Sequence, residues 1–305
     1  MEFGKVNSEN IKDIDFTLPE DGQQTQKVLN STNNEKAKIF IGCAKWGRKE
    51  WVGFIYPPKT KEANFLNEYA KHFNAIELNA VYYQVPSVES VHKWKKQASD
   101  NASGEFLFCP KFPKTISHDQ RLIGVEHATT EYFKVIAEFG ENLGPCFLQL
   151  SESFGVKNMT ILESYLKSLP KEYQVFVELR HEQWFSNNSI RQQAFELLRE
   201  THKGAVITDV SGRRDILHME VTIPEVFIRF IGNGHAHKKS DFERIDEWGA
   251  RLKLWQEKGL QKIYFFVHQQ DELDTPLLAN YAIKVFNEQL GSDFPGISFQ
   301  PRLFD

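Results

Sequence analysis

The chain has 305 residues, 41% hydrophobic, 13% aromatic and 26% charged, and its 37 basic against 41 acidic side chains leave a net charge of −4. A chain of this length and balance buries a large core unaided, which excludes a mini-protein held together by disulfides or a structural metal. Its mild acidity argues against general binding of nucleic acid by charge, and no stretch reaches 18 apolar residues, so no membrane span is expected.

Residues 1–36 are rich in Asn, Gln, Ser, Glu and Lys and show neither a helical nor a strand period, so they are expected to form a mobile polar leader. From Ile39 onward, β-rich runs alternate with amphipathic helical patterns. Strands are predicted over 39–44, 75–79, 106–111, 146–150, 175–180, 205–209, 226–231 and 263–268. Helices are predicted over 65–73, 88–98, 132–137, 161–169, 190–200, 245–255 and 277–285. Eight strands separated by helices imply parallel βαβ units. A domain over 37–305 matches the usual size of a (β/α)8 TIM-like barrel, with an open doubly wound sheet as the alternative. The connection over 210–225 shows no helical period. Cys43, Cys109 and Cys146 fit neither a disulfide framework nor a zinc site, so the expected location is cytoplasmic.

In such a barrel alternate strand residues point inward, and the C-terminal strand ends open onto the mouth where ligands bind. Polar residues close every predicted strand. Trp46 follows the first strand, Glu77 and Asn79 end the second, and Lys111 and Gln149 end the third and fourth. Glu178 and Arg180, followed by His181, end the fifth; Asp209 ends the sixth, Arg229 lies within the seventh and His268 ends the eighth. Charges set among apolar residues are costly unless paired, so they indicate either a ligand site or a structural ion-pair network.

Arginine forks grip carboxylate or phosphate, so the expected ligand is anionic. Glu77, Glu178 and Asp209 are the candidate catalytic groups. Trp46, Asn79, Tyr82, Lys111, His118, Gln149, Arg180, His181, Arg229 and His268 are the candidate substrate-binding groups. No metal site is assigned and no cofactor is expected, although the three carboxylates with a histidine offer donors for a divalent cation. The basic stretch His235, His237, Lys238, Lys239 suits a solvated lid, and Cys43 a packed thiol.

An ordered set of residues runs through the chain: Gly42 with Trp46; Trp51, Phe54, Tyr56 and Pro57; Glu77, Asn79, Tyr82, Tyr83 and Pro86; Lys111, Pro113 and His118. It continues with Leu143, Gly144, Pro145 and Gln149, then Glu178, Leu179, Arg180, His181 and Trp184, and then Asp209 and Arg229. In this set the chain resembles the YecE-like family, domain of unknown function 72, over about residues 38–290. The resemblance implies a TIM barrel and brings no established activity. The family's Ser/Thr-rich first strand end is replaced by Cys43, Ala44 and Lys45, its histidine after the Arg-Phe pair by Ile231, and its asparagine pair on the eighth strand by His268 and Gln269. A modified pocket is therefore expected.

Three functions suit these residues. The first is an enzyme, a hydrolase or isomerase, acting on a phosphate-bearing small molecule or nucleotide at the barrel mouth. The second is a non-catalytic metabolite-binding or sensor protein. The third, by fold analogy alone, is a metal-dependent nuclease or phosphatase. The sequence leaves the oligomeric state open.

Overall fold

The β-branched and aromatic runs form eight parallel strands in a computed structural model that describes residues 3–32, 35–269 and 272–301. They are β1 (Lys38–Cys43), β2 (Ala75–Leu78), β3 (Leu107–Pro110), β4 (Cys146–Gln149), β5 (Val175–Glu178), β6 (Gly204–Asp209), β7 (Glu225–Gly232) and β8 (Lys262–Gln269). The strand order is β3-β2-β1-β8-β7-β6-β5-β4. Its two ends meet, because Lys111 pairs with Phe147 and the Phe112 N–H donates to the Phe147 carbonyl at 3.0 Å. The sheet thus curls into a nearly closed barrel, not the open doubly wound alternative.

The helices are α1 (Gln23–Val28), α2 (Phe65–Tyr69), α3 (Ala80–Tyr83), α4 (Val88–Ser99), α5 (Glu126–Ile136), α6 (Met159–Ser168), α7 (Asn188–Glu200), α8 (Lys238–Glu257) and α9 (Thr275–Leu290). No helix among the described residues is long and apolar enough to cross a membrane. The strand period of two divides the apolar side chains into two cores. Ile41, Ile76, Leu148, Val177, Ile207, Ile228 and Phe265 face outward onto the helices, meeting Leu66, Leu162, Trp248 and Phe286. Phe40, Leu107, Phe147, Phe176, Val206, Phe227, Tyr264 and Phe266 fill the interior. Their rings interlock, with Phe40 stacked on Tyr264 at 5.3 Å and Phe147 tilted against Phe227 at 5.3 Å. This aromatic plug blocks the barrel lower down, so the polar inward residues lie above it, at the C-terminal ends of the strands.

Of residues 1–36, expected from the sequence as a mobile polar leader, Met1, Glu2, Asn33 and Asn34 lie outside the described residues. The rest runs along the flank where the sixth connection supplies only a 3-10 turn, Ser211–Ile216. Ile11 and Leu29 are buried there. The Gln24 N–H donates to Glu220 Oε2 at 2.9 Å, Thr25 Oγ1 donates to the Met219 carbonyl at 2.6 Å, and Trp255 Nε1 donates to Asp21 Oδ1 at 3.0 Å. A strand face without a helix must still be covered, and here the leader covers it. Its irregular course, broken by a 3-10 helix over Ser8–Asp13 and the short α1 and held by main-chain hydrogen bonds and isolated apolar anchors, leaves no sustained period in the sequence. At the other end of the expected domain, residues 302–305 lie outside the described residues.

Close approach of β1 to β2 requires Gly42, since a Cβ there would stand 2.0 Å from the Ala75 carbonyl oxygen, whereas a Cβ on Gly47 meets nothing within 4 Å. Gly42→Ala is therefore expected to destabilise the protein by about 2–3 kcal/mol, with Gly47→Ala changing stability by less than about 0.5 kcal/mol. Urea denaturation of the two variants checks this.

Candidate functional site

Above the aromatic plug, the inward ends of seven strands converge on Arg229. Its Nε and Nη2 donate to Glu77 Oε2 and Oε1 at 2.8 and 2.9 Å, and its Nη1 reaches Glu178 Oε2 at 3.1 Å and Oε1 at 3.2 Å. All three residues are almost wholly buried. Asn79 Nδ2 donates to Glu77 Oε1 at 2.7 Å, and His268 Nε2 lies 3.0 Å from Glu77 Oε2. A carboxylate only accepts, so this His268 nitrogen carries the proton; the other, Nδ1, is buried with no partner among the described residues. Glu178 is completed by Arg180 Nε at 2.7 Å, Gln149 Nε2 at 2.8 Å and Thr208 Oγ1 at 3.1 Å.

These contacts fix the protonation of the carboxylates. Burial alone would raise the Glu77 carboxyl, but Arg229 and then His268 outweigh it and hold it well below the usual range. Burial likewise opposes ionisation of Glu178, and the charges of Arg180 and Arg229 overcome it, bringing the group to about 2. Both are held as anions near neutrality, with their oxygens already engaged by neighbouring donors.

Lys111 is placed differently. Its Nζ donates to Gln149 Oε1 at 2.7 Å and lies 4.1 Å from the centre of the Tyr82 ring. Among the described residues no carboxylate comes within ion-pair distance of it, although the residue is only 8% exposed. Burial, reinforced by Arg229 and opposed by Glu178, pushes the ammonium down to about 7. Arg180 is also uncommitted beyond Nε, since its terminal nitrogens have no acceptor among the described residues. Phe3 of the leader lies with its ring 4.0 Å from the Arg180 guanidinium carbon, at the edge of the mouth. His118 stands edge-on to Tyr82 at 5.2 Å, and its Nδ1 pairs with Ser117 Oγ at 2.9 Å. Burial, then the charges of Lys111 and Arg180, lower it to about 4, so it is neutral at pH 7.

The structure therefore brings together Glu77, Asn79, Tyr82, Lys111, His118, Gln149, Glu178, Arg180, Arg229 and His268. It does not bring in Asp209, which corrects the catalytic role expected from the sequence. Asp209 shares its face with Ala205 and Ile207 and points out of the barrel, where it accepts from Arg244 Nη2 and Trp248 Nε1, both at 2.8 Å, and from Arg214. The inward residue of that strand end is Thr208, which the strand period could have indicated through Val206 and Thr208. His181 is likewise elsewhere, with its Nδ1 accepting from the Gln183 N–H at 3.1 Å to cap a 3-10 turn. Trp46 packs edge-on against Trp94 at 5.6 Å, and Cys43 is buried, as a packed thiol should be. Among the described residues, no three His, Cys, Asp or Glu side chains converge as a metal-binding set. A cavity of about 360 Å³ lined by Phe40, Glu105, Glu225, Lys262 and Tyr264 lies at the opposite end of the barrel, away from this cluster.

A lysine whose proton is held less tightly in the folded than in the unfolded chain binds fewer protons when folded between about pH 7 and 10.5. Stability should therefore rise with pH across that window, by about 5 kcal/mol at most from this residue alone. Denaturant titrations at pH 6.5 and 9.5 should show the rise in the wild type and a flatter dependence in Lys111→Met.

The chain matches the family model described as a protein of unknown function, DUF72, over residues 40–297. It is 29% identical over 283 residues to the UPF0759 protein YecE of Escherichia coli K12, covering 87% of this chain and 97% of that protein. It is 36% identical over 83 residues to the UPF0759 protein YunF of Bacillus subtilis, 27% of each. Among solved structures, a DUF72 family protein of Thermotoga maritima aligns with a TM-score of 0.62 at 23% identity, over 84% of this chain and all of that one. Another from Enterococcus faecalis aligns with a TM-score of 0.63 at 21% identity, over 84% of this chain and 99% of the other. At these identities the structural likeness speaks for the fold alone. The length of the family match carries the assignment: this chain belongs to the DUF72 family of proteins of unknown function.

Proposed function

We propose that the chain is an enzyme that binds an anionic, phosphate-bearing small molecule or nucleotide at the C-terminal mouth of its barrel. The observation that carries this reading is an imbalance of buried charge. Three cations, Arg229, Arg180 and Lys111, stand against two carboxylates, Glu77 and Glu178, and Arg229 engages both carboxylates itself. Lys111 and the terminal nitrogens of Arg180 are left at the mouth without an acceptor carboxylate of their own among the described residues, the Phe3 ring lying over the Arg180 guanidinium. A bound phosphate would supply it, with Arg180 offering its two terminal nitrogens and Lys111 a point charge. In this reading Arg229 positions the two carboxylates and does not itself touch the ligand, a change from the role expected of it in the sequence.

A second reading, a non-catalytic metabolite-binding or sensor protein, is favoured by one observation: both carboxylates are locked in ion pairs and poorly placed to move protons. The two readings share the anion site and part on turnover. Chemically altered ligand recovered after incubation supports the enzyme, and saturable binding without alteration supports the sensor.

Thermal unfolding measured against inorganic phosphate, pyrophosphate, sugar phosphates and nucleotides tests the anion site. A ligand at a hundredfold excess over its Kd stabilises the native state by ~2.7 kcal/mol, and the accompanying rise in Tm should be lost in Arg180→Ala. A rise that persists in Arg180→Ala would locate the ligand elsewhere, and no rise with any compound would overturn the proposal.

A further inference from the structure

We infer that Lys111 is the reacting group of the mouth, its Nζ condensing with the carbonyl carbon of an anionic aldehyde or ketone while Arg180 holds the anionic end of the same molecule. This rests on the anion-site reading above and narrows the ligand to a carbonyl compound.

The geometry sets Lys111 apart from an ordinary buried lysine. A buried ammonium is normally matched by a carboxylate, yet the acceptor of Lys111 is the neutral amide of Gln149, at 2.7 Å. Loss of the proton breaks no ion pair there. The neutral amine can still donate one N–H to Gln149 Oε1, leaving its lone pair free. Gln149 is itself oriented, because its Nε2 donates to Glu178 Oε2 at 2.8 Å. The charged and titratable groups around Lys111 are Glu77 from β2, Tyr82 from α3, His118 from the turn after β3, Glu178 from the end of β5 and Arg180 just beyond it, and Arg229 from β7. The two carboxylates among them are paired with Arg229, while both guanidiniums oppose a further positive charge. The amine that results titrates at about 7, where a substantial fraction is unprotonated and nucleophilic at neutral pH.

The step balances without an added oxidant or reductant. The Nζ lone pair forms a bond to the carbonyl carbon and the carbonyl π pair moves to oxygen, which takes one proton from Nζ and a second from solvent water. That oxygen then leaves as water as the remaining nitrogen lone pair forms the C=N⁺–H bond. The positive charge of the iminium falls where the ammonium stood, beneath the face of Tyr82 at 4.1 Å, which favours a cation. An iminium draws electrons from the neighbouring C–H or C–C bond, so this chemistry suits isomerisation or aldol-type cleavage and does not suit hydrolysis of a phosphoester.

The test uses glycolaldehyde phosphate and glycolaldehyde as probes, each incubated at pH 7 with the full chain and sodium cyanoborohydride, which reduces an iminium to a stable secondary amine. Modified lysines are then located by peptide mass spectrometry. The expected result is modification of Lys111 by the phosphorylated aldehyde about tenfold faster than of any other lysine, with the preference lost when glycolaldehyde replaces it. Selective modification of Lys111 to the same extent by both aldehydes would support the imine while overturning the anion site. A Tm rise with glycolaldehyde phosphate that survives in Lys111→Arg, together with no enrichment of label at Lys111 in the wild type, would support the anion site and overturn the inference.

Discussion

A guanidinium buried between two carboxylates, at the centre of a barrel already filled below by aromatic rings, is the constraint on which the rest of the mouth depends. Arg229 cannot be solvated where β7 places it, and Glu77 and Glu178 cannot both remain charged without it. Each of the three therefore fixes the other two. Asn79, Thr208, Gln149 and His268 take up the carboxylate lone pairs that Arg229 leaves over. The result is a rigid floor drawn from strands that lie far apart in the chain but side by side in the barrel.

That floor determines what is left for chemistry. With both carboxylates consumed, Lys111 has the Gln149 amide and the rings of Tyr82 and Phe147 beside it, and no carboxylate within ion-pair distance among the described residues. A comparable arrangement outside the barrel shows the contrast. There Asp209 is met by Arg214, Arg244 and Trp248, and Asp241 pairs with Arg244 at 3.1 Å, tying β6, α8 and the sixth connection together. Arg214 also donates to the Phe16 carbonyl at 2.9 Å and so reaches the leader. One network joins elements of the scaffold, while the other leaves a lysine without a carboxylate at an opening.

The fold was largely legible in the sequence because its signals are local. All eight strands fall within two residues of the runs that predicted them, and the sixth connection lacks a helix, as its pattern indicated. The polar strand ends were legible too, since charges within apolar runs stand out. Their partners were not: the pairing of Arg229 with Glu77 spans 152 positions and follows only from closure of the barrel. Asp209 was misplaced because a charged strand end drew more weight than the odd-numbered apolar residues that share its face. The contacts of the leader were not legible because a segment anchored by single side chains and main-chain hydrogen bonds has no periodicity to detect.

Arg229 takes both carboxylates and leaves Lys111 as a buried amine with no carboxylate partner among the described residues. NMR titration of the Lys111 side chain, in protein labelled at the lysine ε-carbon and assigned by comparison with Lys111→Arg, tests it most directly. The account predicts a midpoint near 7 for this one resonance. A midpoint at the ordinary lysine value of 10.5 would contradict it, because the ammonium would then have the counter-charge or the solvent that this arrangement denies it.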